Sequence, residues 1–397
     1  MADTSSYTEV FTEVVEPTIK SIIDESTILL RFANRRKRKF NGKQFEIALN
    51  IGHNQGIGAR SEFGDLPAAG EEDYARAKYT PADNWAQMKF SQRLLQMAKS
   101  DKGALKDALS TESDGLIKSV KQDLNRQLFG DGTGKLATLG TSTTTTTITC
   151  TDTKFIKVGM RVDILVITTG AVLVADRKVT AVDPDVSFTI DGAATTTSST
   201  HGVYRAGNTV LTTNYEFTGL EGLVKASGAF GGLNPTTAGL EQWFATVKTS
   251  VGTLADENMQ AAWDSPAERG VDSSTDRLLL GTFGTRRAYG KVLQASRRFN
   301  IGTKKAEHPT LAGGGFDSLE YNGTDFVVDR MCPKDTIYYL DREAFEYLVL
   351  AQGFKNDDGN MLKDDGGTGY KAPYYVMSTV GSANRGAHSK QTGITSA

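Results

Sequence analysis

The stretch from Ser100 to Lys135, SDKGALKDALSTESDGLIKSVKQDLNRQLFGDGTGK, constrains the fold more than any other. Leu105, Leu109, Leu116, Val120, Leu124 and Leu128 lie close to a single stripe at helical spacing. Ser100 or Asp101 can cap the start, and the glycines of GDG supply left-handed residues that close a helix C-terminus. At about 1.5 Å per residue, such a helix runs about 40 Å, longer than most helices in globular proteins. FGDGTGK also looks like a phosphate-binding loop. Its spacing from Gly130 to Gly134 is one residue short, however, and Leu136 stands where a metal-binding hydroxyl belongs. The stretch therefore reads as the exit of a long helix.

The chain is long enough for several domains, with 397 residues of which 39% are hydrophobic. Lys and Arg total 45 against 47 for Asp and Glu, so no global charge draws it to nucleic acid or to an anionic membrane. Cys150 and Cys332 are too few for a disulfide framework and read as semi-buried thiols suited to a reducing cytoplasm. No signal-peptide pattern opens the sequence and no run is apolar enough to span a bilayer, so neither secretion nor membrane insertion is expected.

Residues 1–34 read as an arm with one short amphipathic helix in PTIKSIIDESTILLRF, where Ile19, Ile22, Ile23 and Leu30 share a face. In the following strand, Phe45, Ile47, Leu49 and Ile51 alternate with polar or small residues. A glycine-rich stretch, 52–73, leads to a second extended run, YARAKYT, which makes a long hairpin with a flexible tip. Residues 136–207 open on TSTTTTTITCT and continue as short strands, the pattern of a small all-β module inserted into the main path. Beyond it, TTAGLEQWFATVKTSVGTL reads as helix, DRLLLGTFGTRRAYGKVLQ as a buried strand running into a helix, and LEYNGTDFVVD as a hairpin turning at Asn322-Gly323.

Nothing in this order marks an active site. His53, His201, His308 and His388 are scattered, with no HExxH and no Cys at metal-binding spacing, and there is no GxSxG elbow. The acidic loop NDDGNMLKDDGGTG lacks the ligand spacing of a calcium loop and reads as a polar turn region. The sequence thus implies no catalytic residue, metal or cofactor. The basic run Arg35, Arg36, Lys37, Arg38 and Lys39 could touch DNA or an acidic scaffold, meet an acidic patch on a neighbouring subunit, or lie solvated on the surface.

Taken together, LLQMAKSDKGALKDALSTESDGLIKSVKQDLNRQLFGDGTG, LEYNGTDFVVDRMCPKDTIYYLDREAF and the closing NRGAHSKQTGI resemble the tailed-bacteriophage major capsid proteins. The resemblance implies an α+β protein of the Hong Kong ninety-seven-like capsid fold, with an N-arm, an E-loop, a peripheral domain holding a long spine helix, and an axial domain. These would occupy 1–40 (N-arm), 41–85 (E-loop hairpin), 86–134 with 208–234 and 346–397 (peripheral), and 235–345 (axial), with the small all-β domain inserted at 136–207. The family's role would be self-assembly into hexamers and pentamers forming an icosahedral head around double-stranded DNA bound without sequence specificity, in a virion assembled in the host bacterial cytoplasm. It also implies a separate scaffolding protein, since no coiled-coil segment precedes the hairpin, together with a portal and a decoration protein. Lys43 and Lys78 are available for the cross-link some members make, but nothing marks them.

The expected intersubunit contact is the apolar face of Phe45, Ile47, Leu49 and Ile51, which a lone hairpin cannot cover. Two other roles stay open: an encapsulin-like cargo compartment of the same fold, and a surface-binding protein acting through the β insert.

Overall fold

The computed structural model describes residues 28–33, 38, 40–54, 56–91, 104–150, 152–207, 209–210, 213–272, 276–295, 319–354, 362–363 and 369–396. Its helices are α1 (Ile28–Phe32), α2 (Ala104–Phe129), α3 (Leu220–Leu223), α4 (Asp256–Glu268) and α5 (Phe283–Ala295). Helix α2 is the long helix read from the sequence, and it ends at Phe129 as the glycines dictate. Gly132 and Gly134 have φ of 87° and 77°, and Asp131 Oδ1 accepts a 3.0 Å hydrogen bond from Thr133 N in the turn that follows. Among the side chains described, Leu124, Leu128 and Phe129 near its C-terminal end are buried, and Leu116 and Val120 are half-buried. Gly219 lies against this end: a Cβ there would sit 2.3 Å from the Leu128 carbonyl oxygen. The cap expected at Ser100 or Asp101 falls outside the described residues, as do Ile19, Ile22 and Ile23.

Among the described residues, three sheets have four or more strands. A six-stranded sheet runs Thr246–Lys248, Ser389–Gln391, Ile337–Asp341, Arg277–Gly281, Thr324–Val328, Glu320–Tyr321. The central strand Arg277–Gly281 is buried at every position, as the apolar run Leu278–Leu280 requires, and it leads into α5. Asn322 and Gly323, with φ of 47° and 76°, make the expected tight hairpin turn. Strand Ser389–Gln391 pairs parallel with Thr246–Lys248 and antiparallel with Ile337–Asp341.

A second sheet pairs Phe345–Phe354 with the 14-residue strand Gly369–Ser382, which takes Ala82–Ser91 on its other edge. The third holds strands Lys135–Thr138, His201–Arg205, Arg161–Val166, Val172–Asp183, Ser187–Ile190 and Thr147–Thr149, in that order. It closes over its own apolar cluster, which includes Ile148, Val162, Ile164, Val179, Phe188 and Val203.

One reading is corrected: residues 236–254 are turns and a short strand, not a helix. Gly239 at φ 84° and Gly252 at φ 70° break the chain within that span. Trp243 donates its indole N–H to the Phe230 carbonyl at 3.0 Å, and the strand Thr246–Lys248 is drawn into the sheet beside it. The helix lies immediately after, at Asp256–Glu268, with Asp256 and Glu257 in its first turn.

Candidate functional site

The hairpin carries the clearest functional signal, and its two parts behave differently. Strands Phe45–Asn50 and Tyr74–Tyr79 pair in a register that sets Phe45 opposite Tyr79, Ile47 opposite Ala77 and Leu49 opposite Ala75. The shared apolar face therefore forms as the alternation requires. It does not wait for a neighbour. Phe45 is 2% and Ile47 4% exposed, both within the main core, and Leu49 and Ile51 pack half-buried against it. Tyr79 anchors the second strand: its ring lies 5.5 Å from that of Phe230 and its hydroxyl donates to the Ser382 carbonyl at 2.9 Å. The chain's own body thus covers Phe45 and Ile47 and part of Leu49 and Ile51, the four residues expected to be intersubunit contacts, because the hairpin base lies down on it.

The tip is another matter. Beyond the bond from Ile51 N to Asp73 O at 2.8 Å, the chain leaves the ladder and presents Ile57, Phe63 and Leu66 at 85%, 94% and 87% exposure. Local bonds shape the loop: Gly56 N to Asn54 Oδ1 at 2.7 Å, Gly64 N to Ser61 O at 3.0 Å, and Arg60 Nε to Asp65 O at 2.9 Å. Three large apolar side chains held this way in solvent are unusual for a polar loop. The alternation rule could not flag them, since they belong to no strand. Their signal in the sequence was the presence of Ile57, Phe63 and Leu66 among the glycines.

Of the basic run, Arg38 is described, and it is not free. Its guanidinium grips Glu346 through Nε to Oε2 at 3.0 Å and Nη2 to Oε1 at 2.5 Å, and the Glu346 side chain is fully buried. The hydrogen bond to Glu346 raises the Arg38 pKa above the ordinary arginine value. Arg38 thereby compensates a buried carboxylate, with its own side chain 31% exposed. Arg35, Arg36, Lys37 and Lys39 lie outside the described residues.

The arm is joined to the body through α1. Leu29 N donates to Asp329 Oδ2 at 3.1 Å and Leu30 N to Asn125 Oδ1 at 3.1 Å, so side chains from elsewhere satisfy the first amides of the short helix. Leu29 and Leu30 are themselves buried. Nearby, Arg126 bridges Asp123 and Glu216. Burial alone would raise the Asp123 carboxyl, but Arg126 and Arg205 outweigh it and bring it to about 2.

The closing NRGAHSKQTGI is built around Arg385 and His388, both fully buried. Arg385 donates to the carbonyls of Leu223, Gly228, Trp243 and Gly222 at 2.9, 2.7, 3.2 and 3.1 Å. Burial lowers its pKa to about 10, the Tyr79 side chain acting in the opposite sense. His388 accepts from Asp341 N at 3.2 Å through Nδ1, which leaves Nε2 to donate to Ser382 Oγ at 3.2 Å. Cys150 and Cys332 are free and fully buried rather than semi-buried, and burial pushes the Cys332 thiol up. Among the described residues no three His, Cys, Asp or Glu side chains are grouped to hold a metal ion, and no helix is long and apolar enough to cross a membrane.

No family model and no curated protein matches the sequence. Solved structures do match the fold. The capsid asymmetric unit of cyanophage A-1(L) is 13% identical and superimposes with a TM-score of 0.59, covering 99% of this chain and 100% of that one. The capsid of a native GTA particle is 13% identical with a TM-score of 0.51, covering 96% of this chain and 94% of that one. At such identity the likeness is one of fold, and the chain has the α+β Hong Kong ninety-seven-like capsid fold that the motifs suggested.

Proposed function

We propose that this chain is the major capsid protein of a tailed phage, which associates with copies of itself as hexamers and pentamers in an icosahedral head around double-stranded DNA. The observation that carries the reading is the hairpin: its base is sealed to its own core while its tip holds Ile57, Phe63 and Leu66 in solvent. Covering such side chains stabilises an assembly by roughly 1.5–3 kcal/mol each, and only another molecule can cover a loop that projects from its own body. The intersubunit contact is therefore assigned to the tip, in place of Phe45, Ile47, Leu49 and Ile51. The fold shared with the two capsids supports the same role.

The protein's place is then the virion shell, built in the host cytoplasm with a scaffolding protein, a portal and a decoration protein as partners. Its task is structural rather than enzymatic. Arg35, Arg36, Lys37 and Lys39 remain candidates for contact with packaged DNA or scaffold. The sheet at 136–207, which has its own core, is proposed as a module added to the shared fold.

The test is expression of the chain alone and with its scaffold, followed by sedimentation and electron microscopy. Closed shells of regular size support the reading. A monomer at every concentration and in every co-expression overturns it, and shells that fill with a protein cargo and exclude DNA favour a compartment instead.

A further inference from the structure

Two asparagines in the chain stand directly before a glycine, Asn41 and Asn322. In such a pair the glycine amide nitrogen can attack the asparagine side-chain carbonyl carbon, because the glycine has no Cβ to shield it. The N–Cγ bond forms, the Cγ–Nδ2 bond breaks, and ammonia leaves with the proton of the attacking amide. Water then opens the five-membered imide at one of its two carbonyls, giving aspartate or its β-linked isomer, isoaspartate. Water is the only co-reactant, and nothing is oxidised or reduced. In a folded chain the rate depends on geometry, since the side chain must fold back onto the next nitrogen.

The two pairs are held very differently. Asn322 sits at φ 47° in the two-residue turn between the paired residues Tyr321 and Thr324. Its Nδ2 donates to Gln260 Oε1 at 3.0 Å, an oxygen that also accepts from the Tyr321 hydroxyl at 2.9 Å. Ring closure there has to break that bond and turn Asn322 out of the left-handed conformation on which the hairpin depends. Asn41 and Gly42 are exposed, in the turn from Phe40 to Phe45 just ahead of the long hairpin. Gly42 has φ 73°, and a Cβ there would meet nothing within 4 Å. The Asn41 side-chain amide reaches Glu46 Oε1 at 3.5 Å, the limit of a hydrogen bond.

The same carboxylate makes the turn sensitive to what Asn41 becomes. Glu46 Oε1 also accepts from Gln44 Nε2 at 3.1 Å, and that bond, joined by weaker effects of Asn41, Arg76 and Lys78, outweighs desolvation and holds the Glu46 carboxyl below the usual range. A carboxylate at position 41 replaces a donor to Glu46 with a like charge. An isoaspartate also lengthens the backbone by one methylene. It does so inside a turn closed by the bond from Asn41 N to Gln44 O at 3.0 Å and by the rings of Phe40 and Phe45, 5.3 Å apart.

We propose that Asn41 is a self-modifying site, which converts to aspartate and isoaspartate through the Gly42 nitrogen and thereby loosens the turn between Arg38, bound to Glu346, and the hairpin. Asn322, in the same dipeptide, stays intact in the folded chain. The inference does not depend on shell assembly and is tested before it.

Peptide mapping by mass spectrometry follows both sites while the full-length, unassembled chain is aged at mildly alkaline pH, with a parallel sample in denaturant. Unfolded, the two pairs should convert alike, because the dipeptide alone then sets the rate. Folded, Asn41 should stay within about threefold of its denatured rate while Asn322 falls at least about tenfold below its own, since closure there must wait for the hairpin to open. Hydrogen exchange reads the consequence: the amides of residues 41–45 should exchange faster in the aged chain and in fresh Asn41→Asp. They should keep their starting rates in aged Asn41→Gln, whose longer side chain would have to close a six-membered ring. An Asn41 that stays intact while its denatured counterpart converts, or a folded Asn322 that converts as fast as Asn41, would overturn the site. Unchanged exchange at 41–45 in the aged chain would overturn the loosening.

Discussion

Asn125 Nδ2 on the spine helix donates to Asp329 Oδ2 at 3.0 Å, joining residues 204 positions apart, while Asn125 Oδ1 takes the amide of Leu30. One buried side chain thus holds three segments: the arm helix, the spine helix and the strand end at Asp329. Asn125→Leu keeps the bulk but strands the Leu30 amide and one contact of Asp329, at a cost of roughly 1–3 kcal/mol for each group left unpaired. The expected outcome is a lower melting temperature together with faster hydrogen exchange at residues 29–33. Unchanged exchange there would show that the arm is held by packing of Leu29 and Leu30 alone.

Ile47→Asp tests the hairpin base. Because Ile47 lies in the chain's own core, the substitution should destabilise the unassembled subunit by roughly 3–5 kcal/mol, through lost burial and a carboxylate without a partner. Thermal melting of the unassembled chain measures it. A wild-type melting curve would return this face to the intersubunit role first expected of it.

The tip should behave in the opposite way. Replacing Ile57, Phe63 and Leu66 together by Ser removes no buried contact within the chain, so melting should stay within about 0.5 kcal/mol of wild type. Shell yield by sedimentation should collapse. Normal particles from the triple variant would exclude the tip as the contact between subunits.

Arg38→Gln leaves the buried Glu346 carboxylate without its bidentate partner. Since Arg38 is itself partly exposed, the expected loss is about 2–3 kcal/mol, below the figure for a fully buried pair. Chemical denaturation of the unassembled chain reads this. A loss confined to DNA retention in assembled heads, with stability intact, would instead mark Arg38 as a nucleic-acid contact.

His388 gives the chain a pH dependence. Burial, opposed by Asp341 and reinforced by Arg277 and Arg385, lowers its pKa from 6.5 to about 4. Between those values the unfolded chain binds a proton that the folded chain refuses, so stability falls as pH drops from 6.5 toward 4, by up to about 3 kcal/mol. Below about 4 this contribution is lost and the curve flattens, apart from carboxylates such as Asp123 that titrate lower still. His388→Gln should remove the slope between pH 6.5 and 4 even if it lowers stability throughout. An identical slope in the variant would mean that another group titrates there.

Features fixed by neighbours a few residues away were legible in the sequence. The stripe from Leu116 to Leu128 made the spine helix, glycines at 130–134 ended it, alternation from Phe45 to Ile51 made a strand, and Asn322-Gly323 made a turn. Each follows from backbone geometry and local side-chain spacing. The same local rule failed at 236–254, where helical spacing was overridden by glycines and by a sheet edge waiting at Ser389–Gln391.

What only the tertiary structure decided was which partner meets each face. Alternation shows that Phe45 and Ile47 share a side, but whether their own body or a neighbour covers it depends on the Tyr79 and Phe230 contacts. Five adjacent cations announce charge, yet Arg38 is committed to Glu346, 308 residues away. A burial or an ion pair depends on the chain's path between distant segments, and neither composition nor periodicity carries that distance.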